Sequence, residues 1–387
     1  MNQFQQYYTS ELHSKVLVQN LEHANPRSAL DLGFGDGNLL VAAKNRWEDI
    51  ELYGVDIDEN NVVEANLNNR IKAIHLDGFL PDLPKYLLDE YGTIDLLISN
   101  PPYFSKDMDQ NIRSILKESG LNDAISFNIK NIPAELVFLA QNLRLLNDGG
   151  EIGIILPAGL ISGEKWKELR KYLLESFQIN CCVQLPPKSF QKTEAQAFIL
   201  FIQKNTILKN DKIKLATSGS EKDVFINHEQ ATQRMDYSFY SDISHKDDSF
   251  PTLINSDFKI FRGNTPHLQL KRDSVAEYVH TTKMREEPTI AKFESKIQFN
   301  GKIAVKGDIL LARVGSRCLG RACLIESGSV PISDCVIVVR AINDEIRKYL
   351  WYRLSDKNAA SQLQRLSLGV SAKYLTHQIV KDFLLNV

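Results

Sequence analysis

Apolar residues recur along the first half of the chain with two alternating periods. Short unbroken apolar runs, typical of buried strands, alternate with longer stretches in which apolar residues return every three or four positions, typical of helices. The predicted strands are SALDLG, ELYGVD, AIHL, IDLLIS, GEIGIILP, CCVQLP and AFILFIQ, and the predicted helices among them are GNLLVAAKNRW, NVVEANLNN, AELVFLAQNLRLL and EKWKELRKYLLESF. This alternation over residues 28–204 predicts an α/β fold with a doubly wound sheet.

Two stretches beside these elements predict different structures. SELHSKVLVQNLEHA, ahead of the first strand, predicts a helix with Ser10 as its N-cap and with Leu12, Val16 and Leu17 on one apolar face. Residues 105–131 show no clear period and therefore predict a long loop. Long loops inside compact domains are commonly functional or mobile.

The pattern changes after Lys204. Residues 204–223 are polar and irregular, and GKIAVKGDILLARVGSRCLGRACLIESGSVPISDCVIVVR then predicts several strands joined by turns that contain glycine. DEIRKYLWYRLSDKNAASQLQRL and AKYLTHQIVKDFLL close the chain with helical periodicity. We therefore predict a first domain over residues 1–210 and a smaller α+β domain over residues 230–387.

The composition fits two soluble domains. The chain has 387 residues, of which 43% are hydrophobic, and this suffices for two ordinary cores. Its start, MNQFQQYYTS, lacks the features of a secretory signal, and its apolar runs are too short to cross a bilayer. The five cysteines lack paired CxxC spacing and predict buried thiols in a reducing compartment, with no metal site. We expect a cytoplasmic protein without membrane contact.

Charge is distributed unevenly along the chain. The formal net charge is −2, which excludes a protein that is basic overall. Residues 256–321 nevertheless contain 13 Lys and Arg against 7 Asp and Glu. This excess predicts a basic patch on the second domain, of the kind that contacts nucleic acid.

A glycine-rich turn, ALDLGFGDGNLL, joins the first predicted strand to a helix. Asp31 opens the turn, Asp36 lies inside it, and glycine occupies alternate positions at Gly33, Gly35 and Gly37. Glycines let a ligand approach the backbone, and the helix N-terminus offers free N–H groups. Because acidic residues repel a pyrophosphate, the turn favours a ligand that carries a positive charge over a dinucleotide.

Acidic residues also end the next two predicted strands. Asp56 and Ile57 lie in GVDID, where an acidic residue accepts hydrogen bonds from ribose hydroxyls in nucleotide-binding α/β folds. Asp77 and Phe79 lie in HLDGFL, where they would take the amino group and the ring face of an adenine. Each carboxylate alone, including Asp58, has the alternative of a helix cap or surface turn, but their repetition at successive strand ends favours a ligand site.

Together these residues resemble the class I S-adenosylmethionine-dependent methyltransferases over about residues 7–203. The resemblance implies a mostly parallel, seven-stranded Rossmann-like sheet. It also implies S-adenosylmethionine as the cofactor, whose sulfonium and phosphate-free adenosine suit an acidic set of ligands.

ISNPPYF, residues 98–104, ends the fourth predicted strand with a rigid turn. The N6 amine of adenine is a poor nucleophile, because its lone pair is delocalised into the ring. If the Asn100 side-chain oxygen and the Pro101 carbonyl each accept one N6–H bond, the nitrogen is drawn toward tetrahedral geometry. Pro101 and Pro102 would keep this turn rigid and free of competing donors, and Tyr103 would stack on the base with about 1–3 kcal/mol. The alternative is a proline turn that merely stops a strand.

The order of the motifs resembles the gamma group of DNA adenine-N6 methyltransferases. By this resemblance Tyr8 and Thr9 contact the methionine part of the cofactor, and Phe190 forms a second aromatic face around a flipped adenine. The alternative for Phe190 is an ordinary core aromatic. The resemblance implies double-stranded DNA as the partner, base flipping, and a role in a restriction–modification or related defence system.

FKIFRGNTP, KGDILLARVGSRCLGRACLI and RLSLGVSAKYLTHQI resemble the target-recognition domain of Type I restriction specificity subunits, over about residues 235–387. Taken singly, a basic residue there is more often a solvated surface charge. The candidate DNA contacts are Arg262, Lys271, Arg272, Lys283, Arg285, Arg313, Arg317 and Arg321. FESK has the E-x-K spacing of some nucleases, but no suitable PD pair precedes it, so we predict modification without cleavage. A separate endonuclease or specificity subunit is a further candidate partner.

The asparagine–proline clamp leaves other substrates open. Enzymes that methylate the glutamine amide of a release factor, or exocyclic amines of RNA bases, also act on a planar conjugated NH₂ group. A binding subunit that has lost catalysis is a further alternative. The complete set of Asn100, Pro101, Pro102 and Tyr103 argues against that last interpretation.

Overall fold

The computed structural model describes residues 9–125, 129–186, 189–190, 196–204, 212–218, 222–243, 253–254, 256–294, 299–315, 317–356, 358–369 and 373–385. The chain divides into two compact units, Met1–Tyr237 and Ser238–Val387. The first unit thus continues beyond residue 210, where the sequence analysis placed the end of the first domain.

The first unit alternates strands and helices. Its strands are β1 (Ser28–Leu32), β2 (Glu51–Asp56), β3 (Lys72–His75), β4 (Ile94–Ser99), β5 (Ser105–Asp107), β6 (Asn131–Pro133), β7 (Leu146–Pro157), β8 (Gln178–Gln184), β9 (Ala197–Gln203), β10 (Lys212–Thr217) and β11 (Val224–Asn227). Its helices are α1 (Glu11–Gln19), α2 (Asn38–Arg46), α3 (Glu59–Leu67), α4 (Leu83–Tyr91), α5 (Gln110–Glu118), α6 (Ala134–Leu145), α7 (Ala158–Ser162), α8 (Lys167–Ser176) and α9 (His228–Gln233).

Over the described residues, the large sheet has nine strands in the order β11-β10-β8-β9-β7-β4-β1-β2-β3. Neighbouring strands from β3 to β7 are parallel, and β9 runs antiparallel to both of its neighbours. All six residues of β4 and all five of β1 are buried. Because successive side chains point to opposite faces, burial of every residue means that both faces of the central sheet are covered.

The predicted count of seven strands is wrong, since β10 and β11 extend the sheet. β10 pairs in parallel with β8, and β11 pairs antiparallel with β10. Alternate residues, Ile213, Leu215 and Ile226, are buried. The sequence analysis assigned β10 to an irregular segment because only alternate positions are apolar and the flanking residues are polar.

Residues 105–131 are not the continuous loop that the sequence predicted. β5 and β6 pair antiparallel, and α5 lies between them with Asp109 as its N-cap. Ile112, Ile115 and Leu116 are buried at helical spacing. The buried face consists of only these three residues among polar neighbours, so the sequence shows no clear helical period.

Helix α1 begins as predicted but buries a different face. The Ser10 side chain accepts a hydrogen bond from the His13 amide at 3.3 Å, as an N-cap does. Leu17 is fully buried, but Leu12 is 64% exposed, so its predicted place on the apolar face is wrong. Val18 takes that place in the core.

The fully buried Arg170 of α8 binds the end of the first unit. Its guanidinium donates to the carbonyl oxygens of Leu160 and Gly163 at 3.1 and 2.9 Å. It also donates to those of Thr232 and Gln233, in and at the end of α9, at 3.0 and 2.6 Å. These bonds hold α9 against the start of α8, since a buried charged donor that loses its acceptors is strongly destabilising.

The second unit has its own sheets and cores. Its strands are β12 (Phe258–Arg262), β13 (Thr289–Lys292), β14 (Ile303–Val305), β15 (Ile309–Ala312), β16 (Ala322–Ser327), β17 (Ser329–Pro331) and β18 (Val336–Ala341). Its helices are α10 (Tyr237–Ile243), which begins at the boundary, α11 (His267–Arg272), α12 (Asp344–Ser355), α13 (Ala359–Leu366) and α14 (His377–Leu385). Among the described residues, five strands form one sheet in the order β12-β18-β15-β16-β13, and β14 pairs with β17.

Candidate functional site

A cavity of about 350 Å³ lies in the first unit, where strands β1, β2 and β4 end. Strand order reverses beside β1, since β2 and β3 lie on one side of it and β4 and β7 on the other. In open α/β sheets, ligands bind at the carboxyl ends of the strands at such a reversal. The size of the cavity suits one small organic molecule.

Most of the predicted cofactor residues lie on the wall of this cavity. The wall includes Thr9, Asp31, Gly33, Gly35, Asp56, Ile57, Asp77, Phe79, Asn100 and Pro102. Tyr8 lies outside the described residues. Gly37 is not part of the wall and instead caps α2 with φ +76°, a conformation that favours glycine.

The cavity is acidic. Among the described residues of its wall, Asp31, Asp36, Asp56 and Asp77 are aspartates and none is Lys, Arg or His. Burial, and then the negative charges of Asp56 and Asp36, raise the pKa of Asp31 well above its usual value. Asp31 is 1% exposed, and its Oδ1 has no hydrogen-bond partner among the described residues. The site therefore suits a ligand with a cationic group and disfavours a phosphate.

The aspartates play different structural parts. Asp56 accepts the Gly35 amide at 2.8 Å and the Asp58 amide at 2.8 Å, so its carboxylate holds the glycine turn against the end of β2. Asp77 accepts the Phe79 amide at 2.9 Å. Asp58 caps α3 through the Asn60 amide, which was the alternative weighed for it from the sequence.

Aromatic rings form the far wall of the cavity. Phe79 packs edge-on against Phe138 at 5.4 Å between ring centroids, and Phe104 lies 5.9 Å from Phe79. A Cβ on Gly78 would lie 2.6 Å from Phe138, so only glycine permits this approach. Lys106 places its Nζ 4.0 Å from the centre of the Phe79 ring, a cation–π distance.

The sequence analysis did not identify several wall residues: Phe34, Leu39, Val55, Leu76, Gly78, Phe104, Ser105 and Phe138. Most lie one or two positions from predicted residues, so adjacency was an available signal. Phe138 is the exception, because it comes from α6, where the sequence shows only an almost continuous apolar run. Only the packing of α6 over Gly33 and Gly78 reveals its place.

Asn100 follows β4 directly, and among the described residues the hydroxyls of Thr9 and Tyr103 hydrogen-bond to its side chain. It is 9% exposed, its Nδ2 donates to the Thr9 hydroxyl at 3.0 Å, and its Oδ1 accepts from the Tyr103 hydroxyl at 3.4 Å. Pro101 is buried, and Pro102 lies on the cavity wall. The amide of Asn100 is thus held in one orientation at the rim of the acidic cavity.

Tyr103 and Phe190 lie beside this rim. Their ring centroids are 6.2 Å apart and their planes meet at 82°, an edge-on contact. Phe190 is buried and belongs to the core cluster of the first unit, and His13 of α1 lies 5.7 Å from its ring. Phe190 therefore has the packing of a core aromatic as well as the contact with Tyr103, and neither ring is part of the cavity wall.

A buried carboxyl group that the sequence analysis missed lies at the start of α6. Glu135 is 5% exposed, and its Oε2 has no partner among the described residues. Glu135 precedes the wall residue Phe138 by one helical turn, and the adjacent Ala134 amide donates to the Phe104 carbonyl at 2.9 Å. Burial raises the pKa of Glu135 to about 7. This group therefore changes its protonation near neutral pH.

We expect Glu135→Gln to stabilise the protein at high pH only. The pKa of this carboxyl is near 4.5 in the unfolded chain and about 7 in the folded protein. The folded protein is therefore most stable below pH 4.5, and it loses stability as the pH rises through 7 and the buried group ionises. Glutamine mimics the neutral acid, so the variant should gain up to about 3 kcal/mol over the parent at pH 8 and almost nothing at pH 4.5. Urea unfolding between pH 4.5 and 8 measures this difference, with Glu59→Gln, an exposed carboxyl, as the control. Parallel pH profiles of parent and Glu135→Gln would contradict the assignment.

Most of the predicted DNA-contacting residues gather at one end of the five-stranded sheet. Arg262 ends β12, opposite Ile337, and Arg313 follows β15, whose last residue lies opposite Val336. Arg321 precedes β16 and donates to the Met284 carbonyl at 2.9 Å, ahead of the parallel strand β13. The same end therefore includes Lys283 and Arg285 before β13 and Arg317 in the β15–β16 turn.

The electrostatics agree with this clustering. Burial, and then the positive charges of Arg262 and Arg313, lower the pKa of His377 at the start of α14. Burial and then the neighbouring His267 lower the pKa of His280, Asp334 opposes this shift, and Lys271 and Lys283 add to it. Arg272 ends α11 next to Lys271. We refer to the eight residues together as the basic end of the second unit.

Two further findings concern the whole described chain. No helix within it is both long and apolar enough to span a bilayer. Within the same residues, no group of three or more His, Cys, Asp and Glu side chains is arranged to hold a metal ion.

Comparison with known proteins gives relatives with several methyl acceptors. The Type II methyltransferase M.BsuBI of Bacillus subtilis is 26% identical over 222 residues, which cover 51% of this chain and 42% of the relative. A release factor glutamine methyltransferase of Corynebacterium glutamicum is 32% identical over 135 residues, 33% of this chain and 46% of the relative. The chain spans less than half the length of these two curated relatives.

A solved structure shares the fold over most of the chain. The type IIG restriction endonuclease BpuSI aligns with a TM-score of 0.52 at 14% identity, covering 96% of this chain and 57% of that one. At this identity the likeness concerns the fold alone.

The family is established by a match over more than half of the chain. The sequence model described as N-6 DNA Methylase matches residues 2–249, which include the glycine turn, the strand-end aspartates and Asn100–Tyr103. Family and fold together imply S-adenosylmethionine as the methyl donor. The acidic cavity fits this molecule, which carries positive charge and no phosphate. The chain therefore belongs to the N-6 DNA Methylase family.

Proposed function

We propose that this chain methylates N6 of an adenine that is flipped out of double-stranded DNA, as the modification part of a restriction–modification or related defence system. The observation that carries the proposal is Asn100. Its amide is fixed beside two prolines at the rim of an acidic cavity, in a chain of the N-6 DNA Methylase family. The gamma-group arrangement is part of the proposal.

The cavity residues would hold S-adenosylmethionine in defined parts. Asp31, with its unpartnered buried oxygen, would face the ammonium of the methionine part, and Thr9 lies on the same wall. Asp56 would accept from ribose hydroxyls, and Asp77 and Phe79 would take the adenine amino group and ring. Bound there, the cofactor would supply a methyl group from its sulfonium. The sulfur would keep the electron pair of the broken S–C bond and leave as a neutral thioether.

The residues from Asn100 to Tyr103 would act on the acceptor. Asn100 Oδ1 and the Pro101 carbonyl would each accept one N6–H bond, which localises the nitrogen lone pair toward the methyl carbon. As the new N–C bond forms, N6 becomes positively charged and then releases one proton to water. Orientation supplies most of the rate gain, so no general base is required. Tyr103 would stack on the flipped base, with Phe190 supporting its edge.

The basic end of the second unit would contact DNA. Six of its eight Lys and Arg residues lie at one end of one sheet, at the end of β12, before β13 and in the β15–β16 turn, and the other two, Lys271 and Arg272, end α11. Such clustering suits a run of phosphates, with arginine also able to read guanine. We propose that this unit is a target-recognition domain, and that an endonuclease or specificity subunit is a further partner.

The second candidate is an RNA base or a release-factor glutamine as methyl acceptor. The similarity to a release factor glutamine methyltransferase favours it. The basic end of the second unit argues against the glutamine acceptor, because a methylase acting on a protein side chain has no evident need to contact phosphates.

Transfer of tritium from labelled S-adenosylmethionine separates these acceptors. The full chain is incubated with unmethylated genomic DNA, total RNA and a release factor, and the labelled base or residue is identified after hydrolysis. We expect label in DNA as N6-methyladenine. Label confined to RNA or protein would overturn the proposal.

We expect the double variant Arg262→Ala/Arg313→Ala to bind duplex DNA more weakly and with less salt dependence. Each lost phosphate contact should reduce the slope of log affinity against log salt by about 0.9. Fluorescence anisotropy between 50 and 300 mM salt measures the slope. Arg347→Ala is the matched control, because Arg347 lies by Gly307 at the opposite end of β15. An unchanged slope in the double variant would contradict the assignment.

A further inference from the structure

A chain of hydrogen bonds connects Asp36 of the glycine turn to Asn100. The Asn38 Nδ2 group donates to Asp36 Oδ2 at 2.7 Å and to the Thr9 carbonyl oxygen at 2.9 Å. The Thr9 hydroxyl then accepts from Asn100 Nδ2 at 3.0 Å. Asp36, Thr9 and Asn100 are all on the wall of the cavity, so these bonds run along the wall from the glycine turn to the predicted base clamp.

In the observed arrangement the Thr9 hydroxyl accepts from Asn100 Nδ2, which leaves Asn100 Oδ1 on the other side of the amide. Thr9 is 5% exposed, so the partner that Asn100 Nδ2 meets at this position is a buried side chain. With Nδ2 turned toward Thr9, Oδ1 faces the Tyr103 side. An amide turned the other way would present its NH₂ group to the NH₂ group of the base, and two donors cannot bond to each other.

We propose that Thr9 is a positioning residue of the clamp, which fixes Asn100 with its oxygen toward the target amine. The inference rests on the proposed function and adds a role distinct from the contact with the methionine part that the family resemblance implies. Thr9 acts through Asn100 and need not touch the base.

Asn38 extends this positioning to the glycine turn. It is the first residue of α2, and both hydrogens of its amide are engaged, one by Asp36 and one by the Thr9 main chain. Thr9 is therefore held by its carbonyl while its hydroxyl holds Asn100. Loss of the Asn38 side chain should make the position of Thr9 less defined but keep its hydroxyl. The loss of kcat should therefore be smaller than when the Thr9 hydroxyl itself is removed.

The test compares Thr9→Val, Thr9→Ser and Asn38→Ala in the full chain. Valine keeps the shape of threonine and removes the hydroxyl, whereas serine keeps the hydroxyl. We expect Thr9→Val to lower kcat for methyl transfer about 10- to 100-fold, with KM for DNA and affinity for S-adenosylhomocysteine changed less than about threefold. Thr9→Ser should restore most of kcat. The kcat of Asn38→Ala should lie between those of the parent and Thr9→Val.

A binding readout isolates the orientation of the amide. Two duplexes carry the methylation site mapped by sequencing, one with adenine and one with purine, which lacks the 6-amino group, at the target position. The parent should prefer adenine over purine, and Thr9→Val should reduce this preference about 5- to 10-fold while Thr9→Ser retains it. A general structural defect would weaken both duplexes equally.

Each outcome decides the inference. An unchanged kcat and preference in Thr9→Val would overturn it, as would a loss confined to S-adenosylhomocysteine affinity, which would assign Thr9 to the cofactor alone. If the parent labels RNA or a release factor and not DNA, the proposed function fails by itself. The same variants are then compared for kcat and rescue on that acceptor, where the positioning role of Thr9 stands or falls separately.

Discussion

Replacing Asn100 by alanine should lower the single-turnover rate of methyl transfer by about 100- to 1000-fold, the loss typical of removing one group that stabilises a transition state. The side-chain oxygen lost is one of the two acceptors that localise the lone pair of the amine. The Pro101 carbonyl, which belongs to the main chain, remains. Affinity for S-adenosylhomocysteine should remain close to that of the parent, since the acidic wall of the cavity is intact.

Tyr103→Ala provides the graded comparison for Asn100→Ala. It removes a stacking face worth about 1–3 kcal/mol, so the expected loss is about 10- to 100-fold and should appear partly in KM for the acceptor. Asn60→Ala, on the exposed first turn of α3, is the matched control. Rapid-quench transfer with tritiated donor measures all three. Turnover in Asn100→Ala equal to that of the parent would refute the clamp.

The second large effect is expected at Asp31, where asparagine should stabilise the cofactor-free protein and weaken cofactor binding together. Burial and the charges of Asp56 and Asp36 disfavour the ionised Asp31, so its raised pKa costs stability as pH rises. Asparagine removes this cost, and the melting temperature should increase more at pH 8 than at pH 5. Affinity for S-adenosylhomocysteine should fall about 10- to 100-fold, because the ligand ammonium loses its counter-charge.

Calorimetry measures both parts of this prediction. Scanning calorimetry without ligand at pH 5 and pH 8 gives the stability, and titration calorimetry with S-adenosylhomocysteine gives the affinity. Asp58→Asn is the control, since Asp58 caps α3 and is not part of the cavity wall, and asparagine caps helices equally well. Undiminished affinity in Asp31→Asn would exclude a contact between Asp31 and the ligand ammonium.

Residues at strand ends were predictable from sequence because local pattern fixes their place. A buried strand followed by a polar residue puts that residue at the edge of the sheet, and parallel strands bring successive edges together. Asp31, Asp56 and Asp77 are found on one cavity wall for this reason. The basic residues of the second unit were identified by composition, but their convergence at one end of a sheet depends on strand pairing.

Other features depend on contacts between distant residues and left no local signal. The Thr9–Asn100 bond joins residues 91 positions apart, and Phe138 reaches the cavity only because α6 crosses two glycines. Elements β10 and α5 were missed for a different reason. Their buried faces contain only two or three apolar residues, and pairing or packing with neighbours stabilises them instead.

The four carbonyl oxygens around Arg170 determine where this protein can be divided. Two of them belong to Thr232 and Gln233, so a catalytic fragment that stops at residue 210 would lose two acceptors of this buried guanidinium together with α9. A foreign recognition module should therefore be grafted after Tyr237 and not at the polar stretch near residue 210, however much that stretch looks like a linker.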